Sequence, residues 1–331
     1  MPLTLPDHTA AACCDLLCSE DASQLAEGTL CEGGAVDAAS PPVEFPDDSD
    51  ESIAGFIECA ADYSPGRDYP DRFRSNSLDS VAREEAVAWI LRVQAYYCFR
   101  PLTAYLAVNY MDRVLSSHRL PQNEWALQLL SVACLSLAAK MDETILPSLL
   151  DLQVERAKFI FEPRTIIRME LLVLTALNWR LRSVTPFTFI SFFAHKIDSV
   201  GKYAQYLVAL ATEITLATMK DVRFLSHCPS SLAAAAIIRS TDEIVGLDSI
   251  NPEAAASWCA GLTEEGIANC YQSMENVITN ISKRPSMILS NLRVATSIDM
   301  GQRIPSSSSS PNTRRKLNNN CSSVDSGKEG L

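Results

Sequence analysis

The stretch ALQLLSVACLSLAAKMDETILP, residues 126–147, decides the fold. Its first sixteen residues hold neither Gly nor Pro, and Leu, Val, Ala, Ser and Cys surround the helix that such a run forms. A helix apolar on nearly every side has to be central, and its small residues let neighbouring helices approach closely. The predicted helix spans 123–141, with Pro147 opening a short segment after it. On the N-terminal side, Pro101 opens LTAYLAVNYMDRVL (102–115), preceded by a helix over 83–97. On the C-terminal side, Pro163 opens RTIIRMELLVLTALNW (164–179). Proline suits the first turn of a helix, where its missing N–H has no partner to lose. Five helical segments therefore result, four of them around one Ala-rich member.

A second set of five follows the basic linker 180–182. Thr185 and Pro186 make an N-cap and first-turn pair for PFTFISFFAHKI, then come KYAQYLVALATEITLATM and PSSLAAAAIIRSTDEI. Two further segments lie near 253–260 and 264–281. The third member is again the Ala-rich one, so the two halves read as one five-helix unit used twice. The fold class is all-α, with two tandem domains over 51–182 and 183–285.

The ends differ in character. Residues 1–50 are rich in Ala, Ser, Pro, Asp and Glu and hold no Lys or Arg. Such a segment cannot bury enough apolar area to offset its ordering entropy, so a disordered acidic head is expected. From Ser49, capping residues precede Ile53, Phe56, Ile57 and Ala60 at helical spacing, which predicts a short amphipathic helix packed on the domain that follows. The tail 286–331, with a five-Ser run and an Arg314-Arg315-Lys316 cluster, reads as flexible.

Composition excludes several functions. The chain has 331 residues, 47% of them hydrophobic, and a net charge of -12. That charge repels a phosphate backbone, so nucleic acid is not an expected partner. Within residues 1–80, 17 acidic residues face three Arg, leaving the body near neutral. The 11 cysteines are odd in number, and Cys98, Cys134, Cys228 and Cys270 sit in apolar runs, where they read as small core hydrophobes in a reducing compartment. With no CxxC and four scattered histidines, no metal site or cofactor is expected. No long apolar run or signal-like start exists, so a soluble, intracellular chain without membrane contact is expected.

Three phrases in fixed order, YLAVNYMDRVLS (105–116), ALQLLSVACLSLAAKMDETILP and EPRTIIRMELLVLTALNW (162–179), closely resemble the cyclin box. The likeness is strong over 83–195 and weaker over 196–285. It implies a non-catalytic regulatory subunit that activates a cyclin-dependent kinase. A buried ion pair of the family is matched by Arg83 and Asp112. The family's kinase-contacting Lys and Glu are matched by Lys140 and Glu170, with Leu137, Met141 and Leu174 supplying an apolar strip beside them. Read without the resemblance, Lys140 complements a helix C-terminus, Glu170 is a solvated position and the three apolar residues are core.

The acidic head carries LLCSE, an LxCxE sequence at residues 16–20. In an extended chain Leu16, Cys18 and Glu20 face one side, so two apolar groups and one carboxylate can be read together. Chance yields roughly 0.05 such matches in a chain of this length. Its place near the N-terminus resembles plant D-type cyclins, which implies docking to a retinoblastoma-related pocket protein, a G1/S role, a nuclear location with some cytoplasmic presence, and kinase inhibitor proteins as further partners.

The family's substrate-docking patch is altered. Ala82-Arg83-Glu84-Glu85-Ala86 stands where an aliphatic run is expected, with Trp89 retained and Arg92 at an acidic position. Glu85 and Arg92 would disfavour an apolar, Arg-bearing ligand. The stretch 36–52 could serve as a degradation signal, and Ser40-Pro41, Ser64-Pro65 and Ser310-Pro311 as phosphorylation sites; otherwise they are solubilising linkers. The main competing readings are a DNA-binding transcription factor of cyclin-like fold, which calls for a basic face and usually a zinc ribbon, and a Cys-dependent hydrolase, which calls for a Cys–His cluster.

Overall fold

A computed structural model describes residues 49–121, 123–153, 157–244, 247 and 249–281. The LxCxE motif and the C-terminal tail lie outside them. Among the described residues there are eleven α-helices and no strand. They are α1 (Asp50–Cys59), α2 (Tyr69–Arg74), α3 (Ser80–Tyr97), α4 (Pro101–Ser117), α5 (Glu124–Asp142), α6 (Pro163–Ala176), α7 (Phe187–Ile197), α8 (Ala204–Thr218), α9 (Pro229–Asp242), α10 (Pro252–Ala256) and α11 (Glu264–Ile281).

Two cores are formed. The first gathers α2 to α6 around α5, whose residues from Leu129 to Ala139 are all buried. The second gathers α7 to α11 around α9, where Leu232 and the run Ala233–Ile238 are fully covered. Both central helices owe their position to small residues, which let α4 and α6, or α8 and α11, pack closely on them. Prolines open α4, α6 and α9 at their first turns.

Several expectations need correction. The helix from Asp50 does not pack on the domain that follows it: Ile53 is buried in the second core, together with Phe189, Phe193 and Met274. Its apolar stripe is short, and the complementary recess lies beside α7, where Lys196 also pairs with Asp50 at 2.8 Å. Gly261 completes this seat with φ +93°, and a Cβ there would meet Ile57 Cγ2 at 3.0 Å. Gly261→Ala is therefore expected to destabilise the protein by about 1–3 kcal/mol through backbone strain and the clash. A denaturant midpoint lower than that of wild type, with α1 exchanging its amide protons faster, is the measurement.

The short fourth segment is a 3₁₀ turn, Asp151–Gln153, and residues 157–162 form a loop that leads to α6. Buried Gln153 holds that loop, accepting from the Phe161 N–H at 2.7 Å and donating to its carbonyl at 3.0 Å. Helix α2 had no expectation attached to it. Its Tyr69 and Phe73, one turn apart, enter the first core edge to face with centroids 5.0 Å apart. Cys134 and Cys270 are core residues, and burial raises both thiols, Cys270 to about 12. Cys98 and Cys228 are instead exposed, because each stands at a helix end, as C-cap of α3 and N-cap of α9.

Candidate partner-binding surface

Two charged pairs organise the first core. The inner one joins α3 to α4. Arg83 donates from Nε to Asp112 Oδ1 at 2.8 Å and from Nη2 to Oδ2 at 2.7 Å, the bidentate geometry that a guanidinium offers a carboxylate. Tyr69 donates its hydroxyl to Asp112 Oδ1 at 2.8 Å. Arg83 Nη1 reaches further, to the carbonyls of Met219 at 3.0 Å and Lys220 at 3.3 Å, just past the last turn of α8. Burial opposes the charge on Arg83, but the Asp112 carboxylate outweighs it and raises the guanidinium's pKa. Desolvation, reinforced by Asp112, holds the Tyr69 phenol well above its ordinary range. Every acceptor is met, so this buried network fixes the geometry of two helices and the approach of the second half.

The outer pair joins α5 to α6. Lys140, in the last turn of α5, donates to both Glu170 oxygens at 2.7 Å. Glu170 shares the buried stripe of α6 with Ile166 and Val173, so its carboxylate is only 7% exposed, while the lysine side chain is 43% exposed. A carboxylate at the edge of a core is thus neutralised by one ammonium that still faces outward.

The two helices joined by this pair, and the loop after α5, carry exposed apolar side chains. Met141, in the last turn of α5, and Leu146, in the loop after it, are 44% and 45% exposed, with Ile145 between them at 83%. On α6, Ile167 and Leu171 flank Glu170 and are 45% and 53% exposed. Arg164 and Arg168 lie one turn apart on the same helix and are also exposed. Leu174 is half-buried against the first core. Leu137 must be reassigned: it is a core residue, since its place on α5 faces inward, and it backs the surface instead of forming it. The exposed apolar residues of α6 are Ile167 and Leu171. The signal for them was present, because both stand off the stripe of α6 formed by Ile166, Glu170 and Val173.

Asp142 and Glu143 are further residues that sequence reading passed over. Arg100 pairs with Asp142 at 2.7 Å, and Glu143 accepts the Arg100 backbone N–H at 2.7 Å. Thr103 donates to Asp142 at 2.8 Å. The acidic end of α5 thereby takes up the N-cap N–H of α4 and the Thr103 hydroxyl, tying the start of α4 to the end of α5.

On α3, Glu85 and Arg92 are exposed, two turns apart, and Trp89 is buried between them. Among the described residues, no group of three or more His, Cys, Asp or Glu could hold a metal ion. Within the same residues, no helix is long and apolar enough to cross a membrane.

The family model for the cyclin N-terminal domain matches residues 52–182, and that for the cyclin C-terminal domain matches 184–293. Cyclin-D1-1 of Arabidopsis thaliana is 50% identical over 313 residues, covering 92% of this chain and 90% of that protein. Cyclin-D2-1 of Oryza sativa subsp. japonica is 53% identical over 281 residues, covering 81% and 85%. A viral cyclin from herpesvirus saimiri shares the fold, with a TM-score of 0.53 at 16% identity over 61% of this chain and 86% of that one. A helical pair of domains matched from end to end, and half-identity to full-length relatives, make this chain a D-type cyclin of the plant kind, a regulatory subunit and not an enzyme.

Proposed function

We propose that this cyclin binds and activates a cyclin-dependent kinase at the G1/S transition, seating it on the apolar surface around the Lys140–Glu170 pair. The observation that carries the reading is the set of exposed apolar side chains, Met141, Ile145, Ile167 and Leu171, on α5, the loop after it and α6, the two helices that the Lys140–Glu170 pair joins. Several large solvent-facing apolar groups on two joined helices and the loop between them favour a protein contact. Activation of this kind stabilises one kinase conformer by binding it better, placing the catalytic Lys–Glu pair and metal-binding groups for phosphoryl transfer. Chemistry stays with the kinase.

The second contact is a retinoblastoma-related pocket protein, docked through Leu16, Cys18 and Glu20 of the acidic head. Support for it comes from the motif and its position in the chain. Kinase inhibitor proteins are further partners, and the nucleus, with a cytoplasmic fraction, is the site of action. Affinity purification of the tagged chain from dividing cells tests both contacts. The eluate is expected to phosphorylate a pocket-protein substrate, and a Cys18→Gly, Glu20→Lys chain should keep kinase activity but lose the pocket protein. An eluate without kinase activity would remove the regulatory reading, and undiminished pocket-protein recovery would remove the docking motif.

A further inference from the structure

Residues 60–68 form a strap between the two cores. It leaves α1 on the second core, makes a 3₁₀ turn over Ala60–Tyr63 and enters α2, whose Tyr69 lies in the first core. Ala60 is buried, and the turn after it is held through Asp62 and Tyr63. Asn109 Nδ2 donates to the Tyr63 carbonyl at 2.9 Å. Arg180 lies 4.9 Å from the Tyr63 ring centroid and Arg113 lies 5.7 Å from it. Arg180 also pairs with Asp62 at 2.9 Å.

We propose that Ser64 is an acceptor for a proline-directed protein serine/threonine kinase, and that its phosphorylation loosens this strap. Ser64 is exposed, in extended backbone with φ -95° and ψ 153°, and Pro65 follows it. The exposed Arg67 stands three residues on, so the acceptor, the residue lacking an N–H and a cation are all presented on one loop. Thr185-Pro186 is the other hydroxyl-proline pair among the described residues, but Thr185 is 1% exposed and closed to an enzyme.

In the reaction, Ser64 Oγ bonds to the γ-phosphorus of ATP, the bond to the β–γ bridging oxygen breaks and ADP leaves. The hydroxyl proton passes to the kinase's base. The product is an acceptor only, so the bond that Ser64 Oγ donates to the Ala60 carbonyl at 3.1 Å is lost. A dianion then stands at the C-terminal end of the 3₁₀ turn, between Asp62 and Asp68, an arrangement that disfavours the turn. It also competes with Asp62 for Arg180, the cation that fastens the strap to the linker between the halves.

The test uses the full folded chain, ATP and a purified proline-directed kinase. Cleavage before Asp62 and Asp68 releases residues 62–67, which hold a single serine. Phosphate is expected in that peptide, absent in Ser64→Ala and strongly slowed in Pro65→Ala. Amide exchange over 60–68 is expected to quicken about fivefold in the phosphorylated protein. Equal labelling of wild type and Ser64→Ala, or labelling of Ser64 only after denaturation, would overturn the site. Labelling with unchanged exchange would overturn the loosening.

Discussion

Asp112→Ala is expected to cost about 3–5 kcal/mol, the loss seen when one member of a buried ion pair is removed and the other stays. For a folded body of this size that is a fall of about 10 °C in the thermal midpoint. The reason is specific to what Asp112 holds. Arg83 is 2% exposed and directs two of its donors at this carboxylate, and the Tyr69 hydroxyl directs another. Without the carboxylate, a guanidinium and a phenol remain in the core and lose the acceptor that both of them use. The double replacement Arg83→Met, Asp112→Leu removes both charges and is expected to recover part of the loss. Thermal unfolding followed by circular dichroism measures both, and a single mutant within about 1 kcal/mol of wild type would show that water reaches the pair.

Ile167→Asp together with Leu171→Asp is expected to weaken kinase association by at least about a hundredfold, equal to roughly 3 kcal/mol at an interface centre. Both side chains are already half-exposed, so the fold should be preserved and helicity unchanged. An exchange variant, Lys140→Glu with Glu170→Lys, separates recognition from scaffolding. It rebuilds the ion pair across α5 and α6 with the charges inverted, so an altered fold cannot explain a lost partner. Loss of kinase in the purified complex would assign the charges to recognition. Full retention would make the pair a clamp between helices and leave the contact to the apolar rim.

The elements with strong patterns were legible in the sequence. Helices α4, α6 and α9 combine a first-turn proline with unbroken apolar periodicity, and α5 declares its central place through small residues on every side. The all-α class and the family likeness follow from those stretches. What escaped depended on long-range partners. Two aromatic residues in six, as in α2, make no period. The stripe of α1 shows that it needs a recess but not which core supplies one. At the surface site, Lys140 and Glu170 were identifiable by phrase, whereas Leu137 and Leu171 look alike in the sequence and differ only in which side of the helix pair they face. Asp142 and Glu143 were hidden because capping groups act on a helix 40 residues away.

The seats of α1 and Met219 carry a practical consequence. A helix from the front of the chain belongs to the rear core, while Met219, from the rear, is buried in the front core and its carbonyl is held by Arg83. The halves are clasped like interlocked fingers, so cutting at residue 182 would strip each piece of a part it needs. Fragments meant to fold alone should exchange these segments, and co-expressed halves should find each other.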